Sequence, residues 1–168
     1  MGSDCIKRKA LHAILWALVI GQLGLIFSMS AQDGGTSGEM SGQVARAVMA
    51  VVRPGFDALP AHEQAQIVDD MQYLTRKAGH VGEYALLGLL LYLALGAFSV
   101  RRPPRMALAF AGSVLYAAAD ELHQMAVAGR SPQVTDVMID AAGALLGIGL
   151  ALLFLWLAQR RRERRSPS

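Results

Sequence analysis

The chain has one cysteine, Cys5, close to its N-terminus. A single thiol excludes an internal disulfide and a cysteine-built zinc site, and its neighbours give it no catalytic setting. Charge is also scarce: Asp, Glu, Lys and Arg make up 17% of the residues, against about a quarter in an ordinary soluble domain. Glycine fingerprints for nucleotide or redox cofactors are missing, so no cofactor is expected. Metal-site spacings are missing too. Bundle di-iron sites read Glu-x-x-His, whereas here one hydrophobic stretch reads His80-x-x-Glu83 and another Asp120-x-x-His123, so no metal is expected.

Apolar residues are what the chain has in excess, 54% of the total with a positive mean hydropathy. At 168 residues this is the composition of a small integral membrane protein. The net charge of +3 does not point to nucleic acid, because a nucleic-acid footprint gathers Lys and Arg on one face. Here they sit between hydrophobic runs.

A spanning helix needs roughly 20 mostly apolar residues. Four runs qualify, at residues 11–29, 81–100, 106–125 and 137–157, with Pro103 and Pro104 breaking the chain between the second and third and Gly129-Arg130-Ser131-Pro132 joining the third to the fourth. If the spans alternate, Lys7, Arg8, Lys9, Arg101, Arg102, Arg105, Arg160, Arg161, Arg162, Arg164 and Arg165 share one side, leaving Arg46, Arg53, Arg76, Lys77 and Arg130 on the other. The positive-inside rule then makes both termini cytoplasmic.

The expected fold is all-α: an integral membrane bundle of four transmembrane helices, with a long outer loop between the first and second. Residues 1–10 form a cytoplasmic tail, 11–158 the transmembrane domain, and 159–168 a basic cytoplasmic tail near anionic lipid. A rival reading of the first span is a signal peptide ending at Ser28-Met29-Ser30-Ala31, though the apolar run is longer than such segments usually are. In the outer segment, 30–78, a Gly/Ser-rich start precedes two short amphipathic stretches. One carries Val44, Val48, Val51 and Val52, the other Ile67, Val68, Met71 and Leu74. They read as helices lying on the bilayer or packed on the bundle, or as a lid.

Charges at membrane depth are costly unless paired or facing a wet cavity. From the rise per residue, Glu83 and Asp140 stand about 26 Å from the cytoplasmic ends of their spans, Tyr84 about 24 Å and Asp120 about 21 Å, nearly one level in the outer leaflet. Helical spacing gathers them by face: Arg76, His80, Glu83 and Leu87; Asp120 and Gln124; Asp136, Asp140, Gly143 and Gly147. Gly143-x-x-x-Gly147 lets a second helix approach closely beneath Asp140.

Two chemistries follow. Arg76, Lys77 and Arg130 suit an anion, since an arginine fork binds carboxylate or phosphate in two places. Glu83, Asp120, Glu121, Asp136 and Asp140, crowded together, offer a carboxyl group able to give or take a proton near neutrality. The same residues would also serve as a buried polar network that fixes helix pairing.

At these residues the sequence resembles the VanZ-like family of small bacterial membrane proteins. The resemblance runs through Phe27-Ser28, Gln32-Asp33-Gly34, Ser37 and Ser41, then Arg76-Lys77-x-x-His80-x-x-Glu83-Tyr84-x-x-Leu87-Gly88, then Asp120-Glu121-x-x-Gln124, Gly129-Arg130-Ser131, Asp136, Asp140, Gly143 and Gly147. Val81 departs from the large apolar residue that often follows the histidine. Met125 and Ala128 replace an aromatic residue and a proline that commonly precede Gly-Arg. The resemblance implies a bacterial inner-membrane protein with its site facing outward, and the namesake group is linked to low-level resistance to the glycopeptide teicoplanin.

The reading that results is a cell-envelope membrane protein whose outward-facing polar pocket takes an anionic amphipathic ligand, a membrane lipid or lipid-linked envelope precursor. Glu83, Asp120, Asp140 and His80 are the catalytic candidates. Arg76, Lys77, Tyr84, Glu121, Gln124, Arg130 and Asp136 are the ligand-binding candidates. The alternatives are a membrane-embedded hydrolase or transferase acting on such a lipid, and a non-enzymatic interaction protein with an unnamed protein partner. A transporter is less favoured, since four spans are few and no inverted repeat is visible.

Overall fold

A computed structural model describes residues 2–98, 100–130 and 133–165, so Ser131 and Pro132 of the expected third connection lie outside the described residues. Among the described residues there is no strand. The elements are α1 (Gly2–Ser30), α2 (Gly34–Val52), α3 (Ala61–Leu95), α4 (Arg102–Gln124) and α5 (Val134–Arg165), with short 3-10 turns at Phe56–Ala58 and Gly96–Phe98.

Three of these helices hold stretches long and apolar enough to cross a membrane: Lys9–Ser30, Ala61–Phe98 and Val134–Arg164. Helix α4 has 23 residues, about 34 Å at the α-helical rise, but Asp120, Glu121 and His123 dilute its hydropathy. Pro103 and Pro104 do not break the chain; they lie in the first turn of α4, where their missing N–H groups have no intrahelical partner to lose.

The structure revises the long outer loop. Asp33 caps α2, its Oδ1 accepting the Thr36 N–H and its Oδ2 the Thr36 hydroxyl, both at 2.9 Å. With the first orphan amides satisfied, the Gly/Ser-rich run winds into helix instead of remaining coil. The chain reverses at Gly55, whose φ of 80° is open to glycine without steric cost. The second amphipathic stretch is the first half of α3, which runs on unbroken for 35 residues, about 52 Å. That exceeds a hydrocarbon core of about 30 Å, so its early turns extend past the bundle.

Those early turns pair with α2 through Ala45, Phe56 and Val68, all buried. The face of α2 that packs therefore carries Gly42 and Ala45. Val44, Val48, Val51 and Val52, the expected apolar face, are exposed.

Helix α1 is an integral element of the bundle. Its buried stripe is Val19, Gln22, Ile26 and Ser30, spaced three, four and four apart. Gln22 Nε2 donates to the Glu83 carbonyl at 3.0 Å, and the Tyr116 hydroxyl donates to the Leu23 carbonyl at 2.6 Å.

The closest seam joins α3 to α5. A Cβ at Gly143 would lie 2.6 Å from the Val81 carbonyl oxygen, one at Gly88 would lie 2.5 Å from that of Ala144, and Gly147 meets Ala85 in the same way. Glycine is the residue that lets the two backbones approach so far. Outward, Leu18, Leu25, Leu115, Leu146, Leu153 and Phe154 are exposed, an apolar coat that suits lipid and not water.

Candidate functional site

Ser30 meets Gln124, Gly34 meets Gly129, and Lys77 and His80 meet Asp136 and Asp140, so the α1–α2 turn, the middle of α3 and the α4–α5 loop gather at one end. Two glycines lock that end. Gly34 lies against the carbonyl of Gly129, which has a φ of 72°, and the Gly34 N–H donates to the Ala128 carbonyl at 3.1 Å. Arg130 strengthens the lock, its Nε donating to the Gln32 carbonyl at 3.2 Å and one terminal nitrogen to that of Met29 at 3.5 Å. A cation there also answers the partial negative charge at the C-terminus of α1.

Two ion pairs join α3 to α5. Lys77 Nζ binds Asp136 Oδ1, with both side chains largely buried. One turn on, His80 Nδ1 and Asp140 Oδ1 are 3.2 Å apart, and Asp140 is 1% exposed. Of the residues gathered by helical spacing, His80 on α3 and Asp140 on α5 are thus brought together. Tyr84 is wholly buried, and its hydroxyl and Asp140 Oδ2 have no hydrogen-bond partner among the described residues.

From α4, Gln124 Nε2 donates to Ser30 Oγ at 3.1 Å and to Asp120 Oδ2 at 3.3 Å. Glu121 turns elsewhere, its Oε2 accepting the Gln133 N–H at 2.9 Å and so holding the entry to α5. The His123 ring stacks on Phe27, centroids 4.8 Å apart, at the α1–α4 contact.

A cavity of about 500 Å³ opens beside this network, between α2, the C-terminal end of α1, the middle of α3 and the end of α4. Its walls are apolar where Met40, Val44 and Val48 of α2 face Met71 and Leu74 of α3. Its polar lining comes from Arg76, His80, Glu83, Asp120, Gln124 and Arg130. Burial, and repulsion from nearby Arg76, hold the Arg130 guanidinium below the usual arginine value.

The candidates thus divide into two layers. His80, Glu83, Asp120, Arg76, Gln124 and Arg130 line the cavity; Lys77, Tyr84, Glu121, Asp136 and Asp140 do not, and the first, fourth and fifth of these stand in the α3–α5 pairs. Ser30 and Gln32 also line it; neither was among the site candidates, although Gln32 stands in the first block of the resemblance. For Ser30 the signal was present, a polar residue on the stripe that buries Val19 and Ile26.

Apolar coat, glycine seam and half-polar cavity define the class: an all-helical membrane protein with a recess built where its charged residues converge. The chain belongs to the VanZ/LLP1 family, whose model matches residues 13–155. No curated protein and no solved structure matches the chain.

Proposed function

We propose that the chain is a four-span protein of the bacterial cytoplasmic membrane, both termini cytoplasmic, whose outward-facing cavity binds an amphipathic ligand with an anionic head, a membrane lipid or a lipid-linked envelope precursor. The observation that carries this reading is the division of the cavity lining: Arg76 and Arg130 in the polar part, and Met40, Val44, Val48, Met71 and Leu74 along the walls. A recess with guanidinium groups at one end and an apolar slot at the other matches a phosphorylated head and the start of its chain.

Helix α4 counts as the fourth span in this proposal because its acids turn inward while Leu108, Leu115 and Leu122 are exposed. The orientation rests on the bias of Lys and Arg toward the other end of the bundle. Tolerance of teicoplanin is the phenotype that the VanZ-like resemblance attaches to such a protein in the envelope.

The test is native mass spectrometry of lipid retained by the purified protein. Gly79 lines the cavity and a Cβ there meets nothing within 4 Å, so Gly79→Trp adds bulk at the cavity wall without a clash at Cβ. It should lose the lipid that the wild type carries. Equal retention by both proteins would remove the cavity from the binding reaction.

A hydrolase or transferase acting on the same ligand is the second reading, and the His80–Asp140 pair favours it. A carboxylate on Nδ1 fixes the imidazole and leaves Nε2 to act as base. Comparison of envelope lipids and precursors from cells making wild type or Asp120→Asn would reveal a species whose mass depends on the wild-type protein.

A further inference from the structure

The charges lining the cavity are of both signs, and they are left over after the rest of the network has paired. Among the described residues the ion pairs are Lys77 with Asp136 and His80 with Asp140. Glu121 is taken up by the Gln133 amide. Four charged side chains at the cavity have no ion-pair partner among the described residues: Arg76; Arg130, which gives Nε and one terminal nitrogen to the Gln32 and Met29 carbonyls and keeps its other donors; Glu83; and Asp120. Asp120 is 6% exposed, and its hydrogen bonds come from neutral groups, the Ser30 hydroxyl and the Gln124 amide.

An unpaired acid removed from water must either take up a proton or find a cation, and two in one recess the more so. A purely anionic head would leave that need in place and add repulsion. A head that brings its own cation meets it. Arg76 and Glu83 lie on the same helix two turns apart, about 10 Å along the axis. That distance is bridged by a phosphate at hydrogen-bond reach of one and an ammonium two carbons further on at reach of the other.

The cavity also selects the kind of cation. Quaternary ammonium groups are recognised by aromatic faces, and no Phe, Tyr or Trp is among the lining residues. Carboxylates instead accept from N–H donors. We propose that the head is zwitterionic, a phosphate held at Arg76 and Arg130 joined by a short link to a primary ammonium held at Glu83 and Asp120, as in an aminophospholipid. This rests on the lipid-binding reading above and narrows it.

The test is titration of the delipidated protein in detergent with phosphatidylethanolamine, phosphatidylglycerol and phosphatidylcholine of identical chains, read by native mass spectrometry. The ethanolamine lipid should bind about tenfold tighter than either of the others, the worth of one charge-assisted hydrogen bond. Glu83→Gln should abolish that preference, weakening phosphatidylethanolamine and, with the repulsion removed, tightening phosphatidylglycerol, and Asp120→Asn should act in the same direction. Equal or tighter binding of phosphatidylglycerol to the wild type overturns the proposal while leaving a lipid site in place. So does a preference that survives both substitutions, or phosphatidylglycerol binding that EDTA removes, which would make the carboxylates ligands of a divalent ion. Binding of none of the three, by protein whose thermal unfolding is intact, overturns the lipid-binding reading together with it. A soluble phosphoethanolamine that binds as tightly as the lipid overturns the assignment to a membrane lipid.

Discussion

His80 and Asp140 meet across the α3–α5 seam at 3.2 Å, and one turn toward the cavity end of the bundle Lys77 meets Asp136. Each pair takes its acid from α5 and its base from α3, so the polar contacts and the glycine seam below them specify the same register. Buried pairs of this kind specify more than they stabilise.

The Lys77–Asp136 pair offers a direct measure of that distinction. Lys77→Met strands a buried carboxylate and should cost about 3 kcal/mol in thermal or denaturant unfolding in detergent, whereas Lys77→Met combined with Asp136→Leu should return close to wild type. A double variant as weak as the single one would mean that the pair itself supplies the stability.

Glycine substitutions should divide by what a Cβ meets. Gly88→Val forces a side chain onto the Ala144 backbone, where even the Cβ would stand 2.5 Å from the carbonyl oxygen, and should cost at least about 2 kcal/mol as the helices separate. Gly149 has open space around it, so Gly149→Ala should leave stability unchanged or raise it by some tenths of a kcal/mol. Similar losses at both positions would assign the effect to helix propensity and not to the seam.

Asp33 gives a prediction in pH. The backbone amide of Thr36, and then its hydroxyl, bond the ionised carboxylate and hold it below its ordinary value of 3.8. A group depressed in the folded state stabilises that state fully above its unfolded value and ceases to do so as pH falls through the folded one. Hydrogen exchange at the first amides of α2 should therefore be faster in Asp33→Ala than in wild type near neutrality, with the difference closing below pH 3.8. Asp33→Asn, which caps without titrating, should give a pH-independent exchange pattern once intrinsic rates are removed.

Much of the site could be read from helical period alone. Glu83, Tyr84, Asp120 and Asp140 were placed near one level by counting residues, His80 was put on the Glu83 face by its spacing, and the Gly143-x-x-x-Gly147 approach beneath Asp140 is present as inferred. What spacing did not show was the use to which each charge is put. Arg130 looks like an anion clamp in sequence, yet the end of α1 takes two of its donors; a backbone carbonyl leaves no trace in side-chain pattern. Glu121 is likewise occupied by a main-chain amide. The outer segment was misjudged for a related reason. Gly34, Gly35 and Gly38 lower helix propensity, and the Asp33 cap, together with packing of Gly42 and Ala45 on α3, outweighs it.

The α3–α5 seam also dictates an order of assembly. During synthesis, α3 emerges before α5 with the whole of α4 between them. Until α5 has entered the bilayer, Lys77 lacks the acid that neutralises it, His80 lacks the carboxylate that fixes its ring, and the groove along Val81, Ala85 and Gly88 lacks the helix that packs into it. The last helix made is thus the one that completes the charged helix made earlier, so a ribosome stalled before Asp136 leaves a fragment whose Lys77 has no acid partner and whose glycine seam is open, the kind of defect that quality-control proteases in a membrane can recognise.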